Sequence, residues 1–98
     1  MRSIWKYPLE SAAPTVQRVK MKAGARVISA GLDPQGTLCV WAIVDPKEKQ
    51  EKTREIFVVG TGHETTDGHV GGTFVGTVNL GPAGLPFIFH IFDWGEVS

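Results

Sequence analysis

The stretch Thr37–Val44, TLCVWAIV, decides the fold. Its two alternating phases are both apolar: Leu38, Val40, Ala42 and Val44 form one, and Cys39, Trp41 and Ile43 the other. A short run of this kind, bounded by turn signals, reads as a strand covered on both faces and therefore central in its sheet. Asp33-Pro34-Gln35-Gly36 stands before it. Proline pre-sets the φ of a turn, and glycine takes the position that needs φ above zero. Asp45-Pro46 ends it.

Working back toward the N-terminus, Arg26–Leu32 reads as a strand with Ile28, Ala30 and Leu32 in phase. Gly24 centres the turn before it. Thr15–Met21 alternates Gln17, Val19 and Met21 against Arg18 and Lys20, as a half-buried strand does. Ser11–Pro14 is a linker. Ile4–Leu9 is a first strand whose aromatic phase, Trp5, Tyr7 and Leu9, should face the core. Pro8 places it at a sheet edge, because proline cannot donate to a ladder.

Toward the C-terminus, the charged Lys47–Lys52 reads as an exposed hairpin loop and Thr53–Val59 as the next strand. Together with the Asp33–Gly36 turn, that hairpin predicts three consecutive strands in an antiparallel meander. Gly60–Gly72, GTGHETTDGHVGG, has five glycines, two histidines, two acids and almost no apolar content. Loops of this length are usually functional or mobile. Thr73–Leu80 and Leu85–Trp94 are the last two strands, with a turn at Gly81–Gly84 between them and a short tail at Glu96–Ser98.

No segment shows a 3.6-residue period. The expectation is one all-β domain over residues 1–98, a small antiparallel sandwich or partly open barrel of six to seven strands with little or no helix. Composition agrees: 42% apolar and 20% charged residues are ordinary for a globular chain. Several strands are apolar on both faces in a chain that can build only a modest core. A homo-oligomer that hides the second face is therefore expected. Cys39 is the single cysteine, so no intramolecular disulfide and no CxxC motif exists. Neither a secretion signal nor a membrane-length apolar run is present, and the default location is the cytoplasm.

The net charge is zero but unevenly spread. All ten Lys and Arg lie at or before Arg54, together with five acids, whereas the other five acids follow it. Such asymmetry fits a basic binding face or complementarity between subunits, and interleaving strands can also cancel it.

Four chemistries are open to these residues. Gly60-Thr61-Gly62-His63 follows a strand, but it completes neither G-x-G-x-x-G nor a P-loop. Its backbone N–H groups could still form an anion nest; the alternative is that its glycines serve turns and bulges. His63, Glu64, Asp67 and His69 lie within seven residues, with His90 as a distant third imidazole, but their spacing matches no zinc motif. No serine sits in a nucleophile elbow, and mid-strand Cys39 reads as an inert core residue, so no catalytic set is complete. Arg18, Lys20, Lys22 and Arg26 flank the first turn near Trp5 and Tyr7, yet zero net charge and the acidic C-terminal part count against a polynucleotide. His90, within FIFHIF, is either a satisfied core or interface histidine or a pocket-lining one.

IWKYPL (Ile4–Leu9), GARV (Gly24–Val27), LCVWAIVDP (Leu38–Pro46), VVGTGH (Val58–His63), FVGTV (Phe74–Val78) and FHIF (Phe89–Phe92) together resemble a family of short phage and prophage proteins that is a domain of unknown function. The resemblance runs from Ile4 to about Phe92. It implies a bacteriophage or integrated-phage origin, action in the host cytoplasm, and no particular activity.

The expectation is a non-enzymatic phage accessory protein without a cofactor. It would bind a small anionic, nucleotide-like ligand through Gly60, Thr61, Gly62, His63 and His69, with Arg18, Lys20 and Arg26 neutralising its charge. One alternative is a protein-interaction module for a host or phage protein, marked by a flat exposed aromatic patch. The other is a minor structural or metal-binding protein.

Overall fold

The computed structural model describes residues 1–11, 13–81 and 87–97. Among these described residues are seven strands: β1 (Ser3–Pro8), β2 (Thr15–Lys22), β3 (Arg26–Leu32), β4 (Leu38–Val44), β5 (Glu51–Gly60), β6 (Thr73–Asn79) and β7 (Ile88–Val97). One 3-10 turn, His69–Gly71, precedes β6. Two antiparallel sheets result, a three-stranded one in the order β1-β4-β3 and a four-stranded one in the order β2-β5-β7-β6. The all-β sandwich expected from the sequence is present, and it is not a closed barrel.

The Asp33–Gly36 turn joins β3 to β4 as expected. Gly36 N–H donates to Asp33 O at 2.9 Å, Asp33 N–H donates to Thr37 O at 3.0 Å, and Gly36 has φ +82°. The Asp33 carboxylate reinforces the turn by accepting from the Gln35 and Thr37 N–H groups, both at 2.9 Å.

The expected meander stops there. β4 already has β1 on one side and β3 on the other, so no edge remains for β5. The chain turns at Asp45–Glu48 and crosses to the opposite sheet, where β5 lies between β2 and β7. Lys47–Lys52 is accordingly an arch between layers and not a hairpin loop, and its last two residues already belong to β5.

The inward phases of the two sheets form the core, built from Leu38, Val40, Ala42 and Val44 on one side and Met21, Ile56, Val58, Val78 and Ile91 on the other. Tyr7 and Leu9 of the first aromatic phase reach it. Trp5, 38% exposed, does not bury; the Lys22 ammonium lies 6.0 Å from its ring centroid. A bulge between Val27 and Ser29 breaks the expected phase of β3. Val27 and Ala30 both pack inward, and Ile28 is left exposed. β3 and β6 approach at one side of the sandwich, where a methyl on Gly76 would touch Ala30 at 3.5 Å.

The last strand begins at Ile88 and continues to Val97, so the expected tail at Glu96 is partly strand. A register shift at Glu55/Ile56 leaves Trp94 out of the ladder, after which Glu55 pairs with Gly95 and Arg54 with Glu96. The expected turn residues 82–84 and the start at Leu85-Pro86 lie outside the described residues.

Candidate functional site

The strands apolar on both faces are β4, β5 and β7, and all three are central. On the outer face of the four-stranded sheet, Val16, Phe57, Phe92 and Phe74 stand directly opposite one another, one from each strand. Phe74 meets Phe92 edge-on at 5.6 Å between ring centroids, and Phe57 lies 6.5 Å from Phe92. Phe57 is buried, although it points away from the core.

Its cover is the glycine-rich segment. His69 stacks on Phe57 at 4.8 Å between centroids, and the Trp94 ring lies 5.7 Å from His69 and 6.0 Å from Phe57. Trp94 Nε1–H donates to His69 O at 2.9 Å. Thr66 Oγ1 accepts from His69 N–H at 3.1 Å, which sets the 3-10 turn in place. The chain's own loop therefore occupies part of the apolar face that was expected to meet a partner subunit.

The first half of the loop is tied down in the same way. Gly60 N–H donates to His63 Nδ1 at 3.0 Å and His63 N–H donates to Gly60 O at 3.1 Å. Thr61 N–H donates to Ile88 O at 3.0 Å. His90 lies on the outer face, its Nε2 2.7 Å from Thr61 Oγ1 and its Nδ1 3.0 Å from Thr77 Oγ1. Of the three backbone donors expected to form an anion nest, those of Gly60 and Thr61 are thus committed within the chain. Among the described residues, no three His, Cys, Asp or Glu side chains are grouped to hold a metal ion.

The expected site residues separate. Gly60, Thr61, Gly62, His63 and His69 belong to the loop, and Arg18 and Lys20 project from the same outer face along β2. Arg18 Nε is 3.5 Å from Glu55 Oε2 and its side chain remains 74% exposed. Arg26 is opposite Ile43 on the outer face of the other sheet and cannot join them.

That other face is a second candidate. Ile4 lies opposite Ile43, and Lys6 opposite Trp41. The Trp41 indole lies over Gly31, where a methyl would touch the ring at 3.4 Å. Lys6 Nζ donates to Asp33 Oδ2 at 2.9 Å. This bond and the backbone donors of Thr37 and Gln35 hold the Asp33 carboxyl below its usual pKa, and the same bond raises that of Lys6. Cys39 is fully buried beside the pair; burial pushes its thiol up, away from the thiolate a nucleophile needs.

Residues 1–97 match the family model of DUF7352, a domain of unknown function. The chain belongs to this family. No curated protein and no solved structure matches it. The DUF7352 match takes in all seven strands, and therefore both outer faces and the loop. No helix among the described residues of this DUF7352 domain is long and apolar enough to cross a membrane.

Phe57, Phe74, Phe92 and Trp94 were not among the expected site residues. Their alternation with core residues was readable, but the register that lines them up was not.

Proposed function

We propose that this DUF7352 chain is a protein-interaction module and that the outer face of its three-stranded sheet is the contact surface. The observation that carries this reading is the row of Ile4, Ile43 and Trp41, with Ile28 beside it: Ile4 and Ile28 are 58% and 41% exposed. A tryptophan flat on a sheet with aliphatic neighbours is the composition of an interaction hot spot. Three strands about 4.8 Å apart and seven residues long present roughly 300 Å². A stable dimer needs about 800 Å² per partner. The face alone is too small for a permanent dimer and fits a transient contact with a different protein. Exposed Arg26, opposite Ile43, favours an acidic group at the rim of that partner. The resemblance to short phage and prophage proteins supports a host or phage protein as the partner in this reading.

The reading is tested by placing a photo-crosslinking residue at Ile43 and expressing the protein in its own cellular setting. A stoichiometric crosslink to one other protein, lost on Trp41→Ala, is the expected result. A crosslink to a second copy would replace the reading with a homo-oligomer. Nucleotides that raise the melting temperature of the wild-type protein but not of His63→Ala would restore the small-anion ligand.

A further inference from the structure

We propose that the free edge of β2 is a docking site for an extended acidic segment of another protein, which adds to the four-stranded sheet as a fifth strand. This site is separate from the Trp41 face and does not depend on it.

The first observation is the ladder. Ala23 N–H donates to Gln50 O at 2.9 Å, which makes Ala23–Gln50 a hydrogen-bonded pair in the β2–β5 register. Such pairs alternate along an antiparallel ladder. Met21, Val19, Gln17 and Thr15 therefore bond to β5, and Val16, Arg18 and Lys20 turn their N–H and C=O groups outward. Among the described residues, those outward groups have no backbone partner. β2 runs eight residues without proline or bulge.

The second observation is the contrast with β1, the sandwich edge on the same side. Leu9 N–H donates to Leu38 O at 2.8 Å, so Pro8 is one of β1's outward positions, and it has no N–H to offer. Edges blocked by proline resist strand addition, and β2 lacks that block. Gln17 meanwhile clasps the backbone of Glu10 through both ends of its amide, at 2.7 and 2.6 Å. That clasp anchors the β1–β2 linker through a side chain and leaves the β2 backbone uncovered. A groove of about 600 Å³ runs along the edge, with Pro8, Leu9 and Glu10 on one wall and Thr15–Lys20 on the other.

The third observation is charge. Arg18 and Lys20 are exposed on the outer face at two of these outward positions. A second copy pairing edge to edge would set these cations against each other, and like charges directly opposite destabilise a sheet. A strand with acids at those positions gains the opposite. Next along the edge, Val16 borders a depression of about 160 Å³ bounded by Pro14, Phe57, Glu64 and His69, with room for one apolar side chain. The partner read antiparallel to β2 thus carries an acid, any strand-forming residue, an acid, any strand-forming residue and an apolar residue.

The probe is the capped peptide Glu-Val-Glu-Val-Phe-Thr added to the full chain, read by amide hydrogen exchange. Expected is at least a tenfold slowing at Val16, Arg18 and Lys20, with no comparable change at Gln17 and Val19. Lys20→Pro removes an outward N–H without touching the β5 ladder and should abolish the effect. The double variant Arg18→Glu/Lys20→Glu should bind at least tenfold more weakly and accept the peptide with Lys in place of Glu. Trp41→Ala should bind the peptide unchanged. The proposal is overturned if saturating peptide leaves the three amides unprotected, or if Lys20→Pro binds equally well. It is also overturned if a single-stranded oligonucleotide protects the same amides more strongly, or if protection depends on protein concentration without peptide.

Discussion

Arg54 Nε donates to both carboxylate oxygens of Asp93, at 2.9 and 3.1 Å, and joins the two central strands of the four-stranded sheet. Both side chains are nearly buried. Arg54 Nη1–H also donates to Ala25 O at 2.8 Å, and Asp93 Oδ1 accepts from Gly95 N–H at 2.8 Å. Removing one partner of a buried pair leaves the other charge uncompensated. Arg54→Ala and Asp93→Ala should each cost about 3–5 kcal/mol in urea unfolding. The double variant should cost clearly less than the sum of the two, and additive losses would show that the pair is not coupled.

Gly72 sits against Trp94. A methyl on it would clash with the indole and lie 2.8 Å from Asp93 O, whereas one on Gly71 would meet nothing within 4 Å. Gly72→Ala should lose about 1–3 kcal/mol by overpacking and speed amide exchange at His69 and Val70. Gly71→Ala, measured alongside it, should leave the loop's exchange pattern as it was.

The stack of His69 on Phe57 makes a specific demand on side-chain shape. His69→Ala should destabilise the fold by roughly 0.5–1.5 kcal/mol, the usual worth of an aromatic pair beyond its buried area. His69→Phe should recover most of that loss. Trp94 fluorescence should follow the same order, since Trp94 is the third ring of the cluster.

Asp33 sets an acid limit. Its folded pKa lies below the ordinary 3.8, chiefly through the hydrogen bond from Lys6. A carboxyl with a depressed folded pKa stabilises the fold above its unfolded value, and that contribution is lost as pH falls through the folded one. The melting temperature should therefore drop below about pH 4, and it should drop less steeply in Asp33→Asn. Identical acid profiles for the two proteins would remove Asp33 from the account.

Cys39 is fully buried and its thiol donates to Thr37 O at 3.3 Å. Burial raises its pKa, so the stabilising neutral form is lost only as pH rises past the ordinary value of 9.0. A thiol reagent at pH 8 should label the native protein at the rate of unfolding, and label Asp33→Ala faster as the Lys6–Asp33 cover loosens.

The sequence made the strands legible because burial on two faces leaves no polar phase: Thr37–Val44, Ile56–Val59 and Phe89–Phe92 all became central strands. Which strands pair was not legible. Asp33–Gly36 carries its own turn chemistry, whereas Asp45–Gln50 reads alike as hairpin or arch, and only the saturation of both β4 edges distinguishes them. The Val27/Ser29 bulge has no glycine or proline to announce it. The charge asymmetry was visible, and its partial resolution lies in pairing: Arg18–Glu55 and Arg54–Asp93 tie early cations to late acids. The loop's composition marked it as unusual, but its role as a cover depends on Phe57 and Trp94, which reach it from strands that are distant in sequence.

The crossing between layers also orders the birth of the molecule. β1, β3 and β4 all lie before residue 45, so the three-stranded sheet has every strand it needs while the ribosome is still adding the rest. β2 belongs to the other sheet and must wait for β5. At about 5–20 residues per second, that wait lasts roughly 1–3 s. Until β5 arrives β2 has both edges bare, and Arg18, Lys20 and Lys22 would set like charges against any second nascent chain that paired with it.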